Sequence, residues 1–571
     1  MNAVRTLAIA AAALPSLLAY NVSPSPTFLN QALAFALWGA VVTGSQPARC
    51  GRGVWPLLAA LALLMLEAAW SWGPGALPAS LALSAIGTLA AAALLAAGGA
   101  GARARVDAIE VFVAFCWAWL ITGLLNVGIA MAQVFAPELG DGAWIASTGL
   151  VGRAVGNLRQ PNHLSSLLLW ACIGVAALLQ LRRLAWRWAA LALVALVFAV
   201  VLTASRTGVV SVVLLALWGL ADRRLSRATR GLLLAAPLVY ALAWLGMAQW
   251  AAMSQHSFGG TARLAETDIS ASRFGIWADT LALIRDQPWV GVGFGEFNIA
   301  WTLSAFPGRP TAFFDHTHNL PLQLAVELGL PLAAVVMALL LWALGRGLRR
   351  AWASPGDAGT AQRCAMAMVL MIGLHSLLEY PLWYSYFLLP AAWAWGFALQ
   401  GDGAVAPPAS APSPALSWAG LVLMVGAAFA VVDYMRVATI FSASPGADPL
   451  EQRIASGRKS VFFAHHADYA AVTSGVTVAD PAQAFARASH YLLDTRLMMA
   501  WARALAAQGD VDAARHLAAR LREFRNADAA DFFADCPAAP EPVGAQPGAP
   551  FQCELPMRPL VWRDFLSRAP G

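Results

Sequence analysis

The residues best suited to chemistry run from Phe313 to Gly329: Phe313-Phe314-Asp315-His316-Thr317-His318-Asn319-Leu320-Pro321-Leu322-Gln323-Leu324-Ala325-Val326-Glu327-Leu328-Gly329. An imidazole titrates near pH ~6.5 and can take a proton from a hydroxyl at neutral pH. His316 and His318 stand two apart and could share a metal ion, but no third ligand stands at a suitable local spacing. A histidine that only shapes a helix start fits the same residues, so both readings stay open. A second cluster is His375-Ser376-Leu377-Leu378-Glu379-Tyr380-Pro381-Leu382-Trp383-Tyr384. Its acid and two phenols suit sugar binding or bracing of the histidine segment, while Tyr and Trp also simply favour the lipid headgroup level. Gly291-Val292-Gly293-Phe294-Gly295 imitates a nucleotide loop, but no strand-helix-strand unit surrounds it. Glu67 and Glu327 interrupt apolar runs, where ionisable residues are functional suspects. Glu327 is nine residues from His318, half a helical turn off its face, which favours a packing or hydrogen-bonding role.

These residues sit in a chain built for lipid. Hydrophobic residues make up 59% of the 571 and charged residues 12%, against about 25% charged in soluble domains. The apolar residues come in blocks of roughly 20, enough to cross ~30 Å of hydrocarbon. Thirteen such segments fall near 4–20, 28–44, 54–71, 79–98, 110–135, 163–181, 188–204, 208–221, 231–250, 319–345, 364–379, 382–399 and 416–434. The fold class is therefore all-α, a polytopic membrane protein of about 13 transmembrane helices. The first segment carries one Arg and lacks a small-residue cleavage site, so it reads as an uncleaved first helix. The net charge of +6 does not point to nucleic acid, because the basic residues are dispersed through short loops.

The loops alternate in charge. Sixteen arginines, from Arg5 to Arg363, occupy one set of connections, and the loops 21–27, 72–78 and 380–381 carry none. The positive-inside rule puts the first set in the cytoplasm. An odd span count then sends residues 439–571 to the other side, although linker 400–415 has no basic residue to fix its side. The outer set has its own arginines: Arg153 and Arg159 in 136–162, Arg206 in the turn Thr203–Gly208, and Arg263, Arg273, Arg285 and Arg309 in the large loop 251–318. Arginines placed against the rule need another reason. A guanidinium fork matches phosphate oxygens; salt bridges to Glu266, Asp268 or Asp279 are the plainer account. Arg206 favours the anion, because its short turn holds no acid.

The division expected is a membrane domain 1–438 and an α-helical domain 439–571. In the latter, Leu497, Trp501 and Leu505 share one helical face, as do Ala514, Leu517 and Leu521, with Gly509-Asp510 between them. That resembles one tetratricopeptide-type hairpin, with Trp501 as core. Cys536 and Cys553 flank a Pro/Gly-rich stretch and suit a disulfide in an oxidising compartment. The six cysteines show no metal-ligand spacing.

Four local patterns occur in order: Gln160-Pro161-Asn162-His163; Ser205-Arg206-Thr207-Gly208; Ser272-Arg273-Phe274-Gly275-Ile276-Trp277 followed by Pro288-Trp289-Val290-Gly291-Val292-Gly293; and His316 to Gly329. Together they resemble the O-antigen ligase/polymerase superfamily over roughly 150–400. The Gln-Pro-Asn element, the His375–Tyr384 element and the tail look most like the PglL-type protein O-oligosaccharyltransferases. The resemblance implies a GT-C-like membrane fold in the bacterial inner membrane, with the active face and tail periplasmic. It implies an undecaprenyl-diphosphate-linked glycan as donor and no metal or other cofactor. It matches His318 to the family's essential histidine and assigns diphosphate binding to Arg206 and Arg273. Arg153, Arg159, Gln160, Asn162, His316, Glu379, Tyr380 and Tyr384 are candidates for substrate positioning. Three functions stand open: glycan transfer to Ser or Thr of exported proteins, pilin-like proteins among them; the same transfer to lipid A core or to another glycan; and glycolipid transport. Transporters place charge near the midplane and often show inverted repeats, and neither is visible here.

Overall fold

The computed structural model describes all residues except Met1, Gln255, 262–267, 402–410, 477–479, 544–547 and 567–571. Arg263, Glu266 and most of linker 400–415 lie outside the described residues, as does the side chain of Asp268. The described residues are 71% helical and form no strand. Backbone polar groups are thus satisfied inside each segment, the condition for crossing lipid. The protein is an all-α polytopic membrane protein.

A helix covers each of the thirteen expected apolar segments: α1 Asn2–Leu17, α2 Phe28–Ser45, α3 Trp55–Trp72, α4 Ala79–Arg103, α5 Ala108–Phe135, α6 Pro161–Gln180, α7 Trp186–Thr203, α8 Arg206–Ala221, α9 Arg227–Ser254, α12 Leu320–Ala353, α13 Gly356–Ser376, α14 Ser385–Leu399 and α15 Pro414–Phe441. Two more, α10 (Asp268–Asp286) and α11 (Phe297–Leu303), lie in the 251–318 loop. The tail holds α16 Leu450–Gly457, α17 Ala464–Thr473, α18 Pro481–Ala488, α19 Thr495–Ala507 and α20 Val511–Glu523. Among the described residues, length and composition qualify nine helices as membrane spans. Helices α1, α8 and α14 are apolar but shorter, and α13 is outside both groups.

The chain divides into two compact units. The first takes Met1–Ala62, Thr88–Thr267 and Ala338–Val431. Its centre is α6, which is almost wholly buried. A helix apolar all round belongs inside a bundle, and Pro161 at its first position needs no hydrogen-bond partner for a missing N–H. Helices α4 and α14 meet through small residues. A Cβ on Gly99 would overlap the Trp393 carbonyl, and one on Gly396 the Ala96 carbonyl. Lipid supplies no hydrophobic force between helices, so close backbone packing takes its place. Arg363, one of the cytoplasm-assigned set, forms a buried pair with Asp222 at 2.7 Å.

The second unit takes Leu63–Gly87, Asp268–Met337 and Val432–Gly571. The tail expected as 439–571 thus shares a compact unit with most of the loop and the first half of α12. One hydrophobic core runs through both: Ile276, Phe297, Trp301 and Val326 pack with Phe485, Leu497, Trp501, Leu517 and Phe524. The hairpin expected from Gly509-Asp510 is formed by α19 and α20. Asp494 caps α19 by accepting from Leu497 N at 2.9 Å, and Asp510 caps α20 by accepting from Ala513 N at 3.3 Å. Trp501 is core, and a disulfide joins Cys536 to Cys553.

Helix α12 is broken near its start. Gly329 has φ 73° and ψ 161°, and Pro331 follows inside the helix. Pro331 has no N–H, so the Glu327 carbonyl loses its helical donor. The glycine-rich segment supplies the replacements. Val292 N donates to Val326 O at 2.8 Å, Gly293 N to Glu327 O at 3.0 Å, and Leu330 N donates back to Pro288 O at 2.8 Å. A Cβ on Gly291 or Gly329 would overlap the facing backbone. Gly291-Val292-Gly293 is therefore a backbone splint. We expect Gly329→Val to destabilise the protein by about 1–3 kcal/mol or more, from its positive φ and the lost approach. Thermal unfolding in detergent measures this; an unchanged midpoint would refute the splint.

Candidate active site

The expected site residues divide between the units. In the first unit, three of the sequence patterns are joined by hydrogen bonds. Asn162, at the start of α6, donates through Nδ2 to Glu379 Oε1 at 3.1 Å. Its Oδ1 accepts from Ser205 Oγ at 2.7 Å, and Ser205 Oγ accepts from Gly208 N at 3.1 Å as the N-cap of α8. Asn162 thus links the turn carrying Arg206 to the turn carrying Glu379. Arg206 is the first residue of α8 and its side chain is exposed. The positive end of the helix dipole adds to its guanidinium there, an arrangement that favours an anion. Gly208 lets α8 approach α6, since a Cβ would press on Ser165 Oγ.

Arg153 and Arg159 each donate to a carbonyl at a helix end. Arg153 Nε reaches Thr203 O of α7 at 3.1 Å, and Arg159 Nη2 reaches Ala19 O beyond α1 at 2.7 Å. Arg159 has φ 60°, and Ala204, beside the Arg206 turn, has φ 50°. Both are left-handed conformations that non-glycine residues adopt at a cost. Gln160 precedes α6 and is half-buried, with Oε1 lacking a partner among the described residues.

The aromatic part of the second cluster meets His163, which neighbours His375. Tyr380 and Tyr384 stack at 6.2 Å between centroids, and Tyr384 meets the His163 ring at 4.5 Å. His163 and His375 lie 5.9 Å apart; His375 Nδ1 is 2.8 Å from Ser166 Oγ, and His163 Nδ1 is 3.3 Å from Tyr386 Oη. Both rings are buried. Sequence reasoning quoted them without giving them a place. Their signal was an ionisable ring inside an apolar span.

The second unit holds Arg273, His316 and His318. Arg273 is on α10, and Trp277 is one helical turn further along the same face. Trp277 Nε1 donates to Thr317 O at 3.0 Å, so the helix bearing Arg273 holds the residue next to His318. Thr317 N donates to Gln323 Oε1 at 2.8 Å, and Gln323 Nε2 donates to Glu327 Oε1 at 2.9 Å. Glu327 thus has the hydrogen-bonding role its angular position suggested. His318 itself has φ 54°. Strain of this kind persists only where the surroundings over-determine it. The Phe314 ring stands edge-on to His318 at 5.4 Å. His316 differs in setting: its Nδ1 is 2.6 Å from Asp315 Oδ1.

Arg309, an anion-site candidate from its placement alone, is buried and otherwise engaged. It pairs with Glu523 of α20 at 3.0 Å and lies over Phe524 at 4.5 Å. Burial lowers its pKa to about 10, against the pull of Glu523. Burial also lifts Asp279 to about 6, with Arg309 opposing. The salt-bridge reading holds for Arg309, with the tail carboxylate of Glu523 as its partner.

Three family models match the chain. Residues 154–179 match protein glycosylation ligases, 191–337 match the O-antigen ligase family, and 364–534 match the C-terminal part of virulence factor membrane-bound polymerases. Two relatives from Acinetobacter baylyi are similar in sequence. A general O-oligosaccharyltransferase is 29% identical over 254 residues, 43% of each chain. A ComP-specific O-oligosaccharyltransferase is 25% identical over 310 residues, 52% of this chain and 53% of the relative. The chain spans about half the length of these curated relatives. The matches take in the Asn162, Arg206, Arg273, His318 and Glu379 patterns in their sequence order, and by them the chain is similar to the O-antigen ligase superfamily and to its protein glycosylation ligases.

Proposed function

We propose that this chain transfers a glycan en bloc from undecaprenyl diphosphate to Ser or Thr hydroxyls of exported proteins, at the periplasmic face of the bacterial inner membrane. The observation that carries this reading is His318, an imidazole at positive φ whose neighbour Thr317 is bonded to α10 and α12. The two relatives, a general and a ComP-specific O-oligosaccharyltransferase, support it. The acceptor oxygen attacks the anomeric carbon and forms the new glycosidic bond. The bond from that carbon to the diphosphate oxygen breaks, and undecaprenyl diphosphate departs with the electron pair. His318 takes the hydroxyl proton, and a single displacement inverts the centre. Arg206 and Arg273 neutralise the charge growing on the diphosphate; preorganised charge of this kind contributes about 3–4 kcal/mol per donor. Arg153, Arg159, Gln160, Asn162, His316, Glu379, Tyr380 and Tyr384 position the substrates. The second reading, transfer to lipid A core or to another glycan unit, rests on the ligase and polymerase families matched.

The test is direct. Purified protein is incubated with a lipid-linked glycan and with protein, lipid A core and glycan acceptors, with and without chelator. We expect protein glycosylation, with pilin-like acceptors among the substrates, unaffected by the chelator. His318→Ala should abolish transfer at matched folded protein and His316→Ala should be milder. Near-normal transfer by His318→Ala would end the mechanism, and exclusive modification of lipid A core would move the acceptor. Arg206→Ala and Arg273→Ala should each lower turnover at limiting donor by roughly 10²-fold. Lys should rescue only in part, for want of the fork; full turnover by both Ala variants would remove the diphosphate role. The thirteen-span topology puts the C-terminus outside, so a periplasm-active reporter fused after Gly571 should be active. Activity of a cytoplasmic reporter there would overturn the span count.

A further inference from the structure

The second unit connects the tail to the His318 loop at successive points. His490 Nδ1 lies 2.7 Å from both oxygens of Glu296, at the start of α11. Two residues on, Asn298 is 3% exposed. Its Oδ1 accepts from the tail's Leu493 N at 2.7 Å, and its Nδ2 donates to Phe314 O at 3.0 Å. Phe313 stacks on the tail's Phe524 at 4.0 Å between centroids. The Phe314 ring, fixed by its backbone, stands edge-on to His318. The carboxamide serves as donor and acceptor at once.

We propose that Asn298 is a positioning residue for His318, through which the tail sets the geometry of the catalytic loop. The proposal rests on the proton-accepting role of His318. Helix α10 and helix α12 hold the loop on the C-terminal side of Phe314, at Thr317. Asn298 holds it on the N-terminal side, at Phe314. Without that second support the loop can relax toward ordinary backbone angles and carry the imidazole away from its working position. Asn298 acts through the Phe314 backbone and not on the donor's diphosphate or the reacting hydroxyl, so it affects turnover and not donor affinity. The tail thereby has a part in the chemical step itself, besides any part it has in presenting an acceptor.

The test uses the full-length protein with lipid-linked glycan and an acceptor protein, and two substitutions. Asn298→Ala removes both bonds. Asn298→Asp keeps the acceptor for Leu493 N, and so the tail's attachment, but its carboxylate cannot donate to Phe314 O. Both should lower kcat by about tenfold or more with the donor KM within about twofold, since a misplacement near 1 Å costs on the order of 10²-fold. Asn298→Asp buries a charge and should melt below the unsubstituted protein, so kcat is taken per folded protein. Wild-type kcat in Asn298→Asp would overturn the proposal. So would a raised donor KM at unchanged kcat, or activity lost only in proportion to folded protein. His318→Ala is measured alongside. Its inactivity, together with normal Asn298 variants, refutes the positioning role alone; its full activity refutes the mechanism beneath it.

Discussion

Pro331 cannot donate a backbone hydrogen bond, and in or near lipid that deficit cannot be left to water. Much of the second unit follows from how it is met. The Glu327 carbonyl turns to Gly293 N, Val326 to Val292 N, and Leu330 N to Pro288 O. The chain must come very close for this, which is why glycines stand on both sides, at 291 and 329. The splint separates the first two turns of α12 from the long apolar remainder. Those turns carry Gln323 and Glu327, whose side chains support Thr317. A helix break in a membrane helix and the backbone of a candidate catalytic histidine are thus parts of one hydrogen-bond problem.

The arginines placed against the topology rule separate by what surrounds them. Arg309 is enclosed by Trp301, Phe306 and Phe524 and neutralised by Glu523. A buried guanidinium of this sort ties segments together and has little left for a ligand. Arg206 is exposed, at a helix start, beside a left-handed Ala204. Arg153 and Arg159 each give a donor to a helix-end carbonyl.

The tail is more than a tethered accessory. Trp301 and Phe297 of the loop and Trp501, Leu517 and Phe524 of the tail bury one another in a common core. Removing the tail would expose that core, so a truncation would disturb the His318 loop as well as any acceptor surface. Substitutions that leave the core intact are the informative way to separate these effects. The same packing makes the α19–α20 hairpin a wall of the loop. Its disulfide-bearing sequel, from Cys536 to Cys553, stays attached through Arg515 and Glu554.

Composition and periodicity were enough to determine an all-helical membrane protein, because roughly 20 apolar residues in a row have one stable use. Helices stand at all thirteen segments read from the sequence, and the Gly509-Asp510 hairpin and Trp501 core are as the spacing indicated. The ordered motifs at Asn162, Arg206, Arg273 and His318 were enough to indicate the superfamily. Other features needed the folded chain. The loop helices and tail share one core although about 150 residues separate them, because hydrophobic burial is non-directional and carries no mark of its partner. The pairing of Arg309 with Glu523 arises in the same way. The bonds from Asn162 to Glu379, from Trp277 to Thr317 and from Asn298 to Phe314 and Leu493 join groups distant in sequence. A hydrogen bond requires heavy atoms within about 3 Å and near alignment, and only the tertiary structure brings those atoms together.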